Sequence, residues 1–200
     1  NDHYKRNAVI DTVDTIDYHR IKRFSELKKL FELISNYSNK YNFTIKDVLN
    51  NIYDATNNEA YDLHLIRKEI SKTNFIINGE FRYFLDFNLV NAKDIIVQNN
   101  NIKLPDRFKS NYFFESVKDC IEYQKNLPLK FKYVVEVEFL STQYIHKGDN
   151  NYLTNFNDSH TAKDFFETAY SFLENKPSNN PLYEIVFMGN YKVLKCCSMK

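Results

Sequence analysis

The sequence predicts an α+β domain with a largely helical N-terminal half. Three observations carry this. Apolar residues recur at helical spacing through most of the first half, and short alternating runs take over in the second. A hydrophobic content of 43% and an aromatic content of 16% suffice for a packed core despite abundant Asn. With 200 residues and no internal repeat or linker pattern, the chain fits one domain, residues 1–200, that buries most of its apolar surface.

The first element is a short strand, because Thr15-Ile16-Asp17-Tyr18-His19-Arg20-Ile21 alternates apolar and polar residues. Ser25 is placed to cap a helix from Glu26 to about Tyr37, in which Leu27, Leu30, Phe31 and Ile34 share one face. Thr44 with Asp47 three residues on opens a second helix through Val48, Leu49 and Ile52. Asn57-Asn58 breaks it, and a third helix runs from Glu59 to about Lys72 on Leu63, Ile66 and Ile70. Phe75-Ile76-Ile77 and Phe81-Arg82-Tyr83-Phe84 flank Asn78-Gly79 as a hairpin would, although the second arm also suits a helix. Residues from Asn88 to Asn101 show no decisive period, and Asn99-Asn100-Asn101 reads as a surface loop.

Beyond Pro105 the pattern sharpens. Asn111-Tyr112-Phe113-Phe114 predicts a strand, and Ser116 with Asp119 starts a helix through about Lys125. Phe131 to Leu140 alternates most clearly, with Phe131, Tyr133, Val135, Val137 and Phe139 on the core face. Ser141 to Asn157 lacks a period and reads as a loop. Asp158 or Ser159 then caps a helix from about Thr161 to Glu174. Residues Pro181 to Lys195 close the chain as a hairpin turning at Met188-Gly189-Asn190-Tyr191, where Gly and Asn tolerate positive φ.

Several chemistries are excluded or disfavoured. Three glycines, none in phosphate-loop spacing, leave no Rossmann or Walker motif. His3, His19, His64, His146 and His160 show no ligand spacing, so no metal site is expected. Three cysteines, Cys120 and the neighbours Cys196 and Cys197, fit reduced thiols better than a disulfide framework. No apolar stretch nears the roughly 18 residues of a membrane span, and Asn1 to Arg6 lacks a signal-peptide core. The expectation is a soluble, cytoplasmic protein with no membrane partner; the start without Met points to a trimmed chain.

Net charge is +1, with 27 basic against 26 acidic residues, and selects no partner. Locally, Lys103 to Tyr133 interleaves Arg107, Lys109, Lys118, Lys125, Lys130 and Lys132 with Phe108, Tyr112, Phe113, Tyr123 and Phe131. That mix suits phosphate binding and base stacking, diluted by Asp106, Glu115, Asp119 and Glu122.

The residue that stands out is Glu184, a carboxylate inside the apolar run Leu182-Tyr183-Glu184-Ile185-Val186-Phe187. A strand aims a catalytic carboxylate rigidly, and alternation equally allows it to face water.

The order of Leu104-Pro105-Asp106-Arg107-Phe108-Lys109-Ser110-Asn111-Tyr112, a helix, Lys132 to Val137, Ala169-Tyr170 and Pro181 to Val186 resembles the ADP-ribosyltransferase-like superfamily, over roughly the C-terminal half. Within it, the chain is most similar to a bacterial branch of uncharacterised domains with a Pro-x-Arg-x-x-Ser segment. The resemblance implies a split β-sheet core and a cleft that holds NAD as co-substrate. It implies that His19 or Arg20 on the first strand, Arg107, and Ser110 or Tyr112 contact NAD, and that Glu184 is catalytic. Asp106 departs from the small residue of the branch. Leu182 stands where relatives that modify arginine carry a second Glu or a Gln, which leaves RNA, DNA, another protein side chain or water as acceptor. The implied activity is that of an intracellular toxin, effector or defence protein, with an inhibitor or antitoxin as a possible partner. The alternatives are a noncatalytic protein- or RNA-binding α+β module, and a metal-independent ribonuclease using His19 or His146.

Overall fold

Asp17 decides the first long element. Its side chain accepts from the Arg20 N–H at 3.0 Å and caps helix α1, Tyr18–Tyr41, in a computed structural model that describes residues 5–54, 61–125, 133–154 and 157–198. The strand expected over Thr15–Ile21 is therefore a helix start. A strand β1 does precede it, at Val9–Asp11, followed by a 3-10 turn over Thr12–Thr15. Ser25 is not a cap; it sits inside α1 and donates to the Ile21 carbonyl at 3.0 Å. Leu27, Leu30, Phe31 and Ile34 are buried as their spacing requires.

Helix α2, Ile45–Asp54, opens on the expected pair: Thr44 and Asp47 exchange backbone and side-chain hydrogen bonds in a capping box. Helix α3 follows at Tyr61–Thr73 and buries Leu63 and Ile66; the Asn57-Asn58 break lies outside the described residues. The hairpin expected around Asn78-Gly79 is instead the first turn of α4, Ile77–Asn100. Glu80 captures the Ile76 N–H at 2.9 Å, and Tyr83, Phe84 and Phe87 then fall on one buried face. Only Asn101 of the expected Asn loop lies beyond the helix, ending it at φ 50°.

A 3-10 turn, Arg107–Lys109, leads into β2, Asn111–Phe114, and then α5, Val117–Lys125, which starts on the predicted Ser116–Asp119 pair. Strand β3 spans Tyr133–Asp149, so most of the segment expected as a loop is strand. Register shifts at Phe139/Ser141 and Thr142/Tyr144 break the alternation there, and this hides the strand from a period-two reading. A short helix α6, Asn151–Thr154, and α7, Ala162–Leu173, follow. Thr161 and Asp164 form the α7 capping box, in place of Asp158 or Ser159.

The last element is one strand, β4, Tyr183–Ser198, with no hairpin turn at Gly189. Gly189 adopts φ 145°, and a Cβ there would lie 2.0 Å from the Ser141 carbonyl oxygen. The glycine permits a close crossing of β3 and β4. β4 pairs antiparallel with β3 on one edge and with β1 and β2 on the other, giving a single four-stranded sheet rather than the split pair that the resemblance implies.

The helices share one core, in which Leu27, Leu30, Phe31, Val48, Leu63, Ile66 and Phe84 meet Phe165 of α7. A second cluster joins α4 and α7 to the sheet through Leu89, Ala92, Ala169, Phe172 and Val186. A third lies on the opposite sheet face, where Ile10, Phe187, Tyr191 and Val193 pack with Val135, Val137 and Phe139. Among the described residues, no helix is long and apolar enough to cross a membrane.

Candidate functional site

Glu184 sits in the middle of the sheet, opposite Phe114 of β2 on one side and Gly148 of β3 on the other. By strand alternation it shares the helix-facing side with Val186, and it is only 4% exposed. The reading of Glu184 as a solvated strand residue is thereby overturned. The sheet approaches α7 so closely here that a Cβ on Gly148 would lie 2.6 Å from the Phe172 ring.

Asp149 fixes the strand ends around Glu184. Fully buried, it accepts from the Leu182 and Asn151 N–H groups at 3.0 and 3.1 Å and from the Ser178 N–H at 2.7 Å. Asn150, 2% exposed, donates its backbone N–H to the Leu182 carbonyl at 2.7 Å, and its side chain hydrogen-bonds the Glu184 carboxyl.

The helical side contributes charge. Asp86 of α4, with its side chain 2% exposed, accepts from Arg20 Nη2 at 2.6 Å and from Arg107 Nε at 2.8 Å. Arg20 lies over the Phe108 ring at 5.4 Å and Arg107 over the Tyr112 ring at 5.0 Å. The Tyr112 hydroxyl donates to the Arg107 carbonyl, fixing the turn that presents the guanidinium.

The electrostatics couple these groups. Burial pushes the Glu184 carboxyl above its ordinary pKa, against the opposing pull of the Arg107 charge and the Asn150 hydrogen bond. Burial raises Tyr112 to about 12, so it is a neutral phenol at physiological pH. Burial also opposes the charge on Arg107, but Tyr112, Asp86 and Glu184 outweigh it and hold the guanidinium protonated. Three buried polar atoms in this region have no hydrogen-bond partner: Arg20 Nε, Asn150 Oδ1 and Glu184 Oε2. Buried polar groups are normally paired with protein, water or ligand, so these three atoms make this region the candidate site.

Of the residues expected at the site, Arg20, Arg107, Tyr112 and Glu184 are brought together. His19 is not; it lies exposed on α1, where helical geometry replaces the strand alternation expected to choose between it and Arg20. Ser110 is buried but donates to the Asp106 carbonyl at 2.6 Å, a turn contact. Asp86 and Asn150 were not singled out by sequence. Asp86 did carry the signal that flagged Glu184, an acid inside the apolar run Phe84-Leu85-Asp86-Phe87.

Other candidates disperse. His146 is buried against the Phe172 carbonyl at 3.0 Å with its pKa lowered by burial, while His19 lies exposed on α1. The basic, aromatic stretch after Lys103 does not present one face, because Phe108 packs against the helical core, Tyr112 against the α4–α7 cluster and Phe113 against the far side of the sheet. Lys130, Phe131 and Lys132 lie outside the described residues. Two shallow hollows, one beside His64 and Lys68 and one between α1, α4 and α7 at Ser35 and Asn88, lie away from Glu184.

No known family model matches this chain, and no curated protein matches its sequence.

Proposed function

We propose that the protein is an NAD-dependent ADP-ribosyltransferase that modifies an intracellular macromolecule, RNA, DNA or protein, as a cytoplasmic toxin, effector or defence protein. The observation that carries this reading is the buried Glu184 carboxyl with one unpartnered oxygen, next to the Arg107 charge and the neutral Tyr112 phenol. It rests on the chemistry of the site and not on the sheet, which is single.

Cleavage of the nicotinamide–ribose bond leaves positive charge on the sugar while the neutral nicotinamide departs with the bonding electron pair. A carboxylate fixed on a strand beside that carbon stabilises the charge as it develops, and water exclusion strengthens the effect. The acceptor then bonds to the same carbon and gives up its proton. Arg20 and Arg107 supply the cationic counterpart for a dinucleotide's phosphates. Leu182, 6% exposed, offers no second carboxylate to prepare an arginine acceptor, which favours nucleic acid or another side chain.

One observation favours a second reading, a noncatalytic α+β module that binds protein or RNA. Glu184 is 4% exposed and Asp86 already engages both guanidiniums, as in a structural polar core. Incubating the purified protein with labelled NAD and cell extract separates the two. Label entering a nuclease- or protease-sensitive fraction supports the transferase; no transfer together with no nicotinamide release leaves the binding module.

A further inference from the structure

The two guanidiniums at the site are each tied at one point and left open elsewhere. Arg20 gives Nη2 and Arg107 gives Nε to opposite oxygens of Asp86, at 2.6 and 2.8 Å. A guanidinium carries five N–H donors, so one bond to Asp86 leaves most of each for a ligand. The Arg20 and Arg107 side chains stay 25% and 20% exposed, against 2% for Asp86. Arg20 Nε is buried and has no hydrogen-bond partner.

The surroundings fix this arrangement. Asp86 lies on α4 between Phe84 and Phe87, both buried, whose rings pack on Phe31 at 5.4 and 5.9 Å. The Phe108 ring covers Arg20 and is itself held by Phe24 of α1 at 4.7 Å, while the Tyr112 ring covers Arg107. Each guanidinium thus has one edge tethered and one face covered, and both tethers end on the same carboxylate.

We infer that Asp86 is a positioning residue that holds Arg20 and Arg107 as one preset clamp for a pair of linked phosphate groups. The inference deepens the transferase reading and rests on it for naming the ligand as a dinucleotide. Asp86 acts through the arginines, because both of its oxygens are taken by them. Its own negative charge opposes anion binding, so it favours binding through order alone. Long arginine side chains lose rotamer freedom when a ligand fixes them, and a clamp ordered beforehand has less to lose. Charge and order therefore predict opposite effects of removing the carboxylate.

The test is calorimetric titration of the full chain with inorganic pyrophosphate, at a temperature where circular dichroism shows every variant folded. Asp86→Asn keeps the side-chain volume and one acceptor oxygen but loses the second, so one guanidinium is released. Wild type is expected to bind, Arg20→Gln and Arg107→Gln to bind more weakly, and Asp86→Asn to weaken by about tenfold or more, the worth of one aligned charge-assisted bond. Asp86→Asn binding as tightly as wild type, or more tightly, overturns the positioning role. No binding by wild type, or binding that both arginine variants keep, overturns the clamp.

Nitrogen NMR of the guanidinium Nε–H groups supplies a measurement on wild type alone, with Arg107→Lys assigning the signal. A sharp, slowly exchanging Arg107 Nε–H in the ligand-free protein is expected; a fast-exchanging one shows an untethered arginine and overturns the inference even if Asp86→Asn unfolds. Nicotinamide release is followed separately. Pyrophosphate binding that Asp86→Asn weakens, without any release from NAD, keeps the clamp and removes the transferase. Release at low NAD that Asp86→Asn leaves unchanged keeps the transferase and removes the role of Asp86.

Discussion

Asp86 and Arg107 meet at 2.8 Å through a carboxylate only 2% exposed, joining the helical half of the chain to the turn that precedes β2. The other oxygen of the same carboxylate takes Arg20 at 2.6 Å. Removing it strands two mostly buried guanidiniums. Asp86→Ala is predicted to cost about 3–5 kcal/mol in urea unfolding, the range for breaking a buried pair. A loss below about 1 kcal/mol, the level of surface pairs, shows that the guanidiniums find other partners.

Gly148 tests how closely the sheet rests on α7. A Cβ there meets the Phe172 ring at 2.6 Å and the Phe172 backbone oxygen at 2.7 Å, and the backbone atom has no rotamer by which to move away. Gly148→Ala is predicted to destabilise by about 1–3 kcal/mol, the usual cost of overpacking. Because Gly148 pairs with Glu184 across the ladder, the same substitution is expected to displace the carboxyl. Equilibrium unfolding and the infrared signature of Glu184 report the two effects separately.

The caps carry the local starts of the helices. Thr161→Ala removes half of the box that begins α7, and the expected loss is about 1 kcal/mol in denaturant unfolding. Ser159→Ala, outside the box, is predicted to leave the midpoint unchanged. The opposite ranking contradicts the assignment of Thr161 as cap.

These caps also show what the sequence made legible. Thr44–Asp47 and Ser116–Asp119 were readable because a capping box is a local contact with fixed spacing, and β2 because its run is short and uninterrupted. The end of β3 was not, since its bulges at Phe139 and Thr142 break the alternation that identifies a strand. Asn78-Gly79 misled in the other direction, as a turn dipeptide absorbed into a first helical turn whose N-terminus Glu80 caps. Of the expected site residues, Glu184, Arg107, Tyr112 and Arg20 come together, two of them, Arg107 and Tyr112, from one short stretch of sequence. Asp86 was missed because its role arises only when α1 and the turn before β2 meet α4, and Asn150 because its role arises only where the end of β3 meets the start of β4.

Arg107 tunes the pH at which Glu184 changes state. Its charge lowers the Glu184 pKa against the larger, opposite effect of burial. Arg107→Gln is predicted to move the Glu184 titration midpoint upward, read by carboxyl-carbon NMR. A midpoint that stays or falls shows that Asp86 neutralises Arg107 completely.

Nicotinamide release from NAD by wild type and Glu184→Gln, followed across pH, tests the central claim most directly. Wild-type release is predicted to rise with pH as Glu184 ionises through its raised pKa, and Glu184→Gln to be slower by about 10²–10³-fold, the scale of losing one preorganised electrostatic contact. No release by wild type, or equal rates for the two proteins, contradicts the assignment of Glu184 as the carboxylate that stabilises the ribosyl cation.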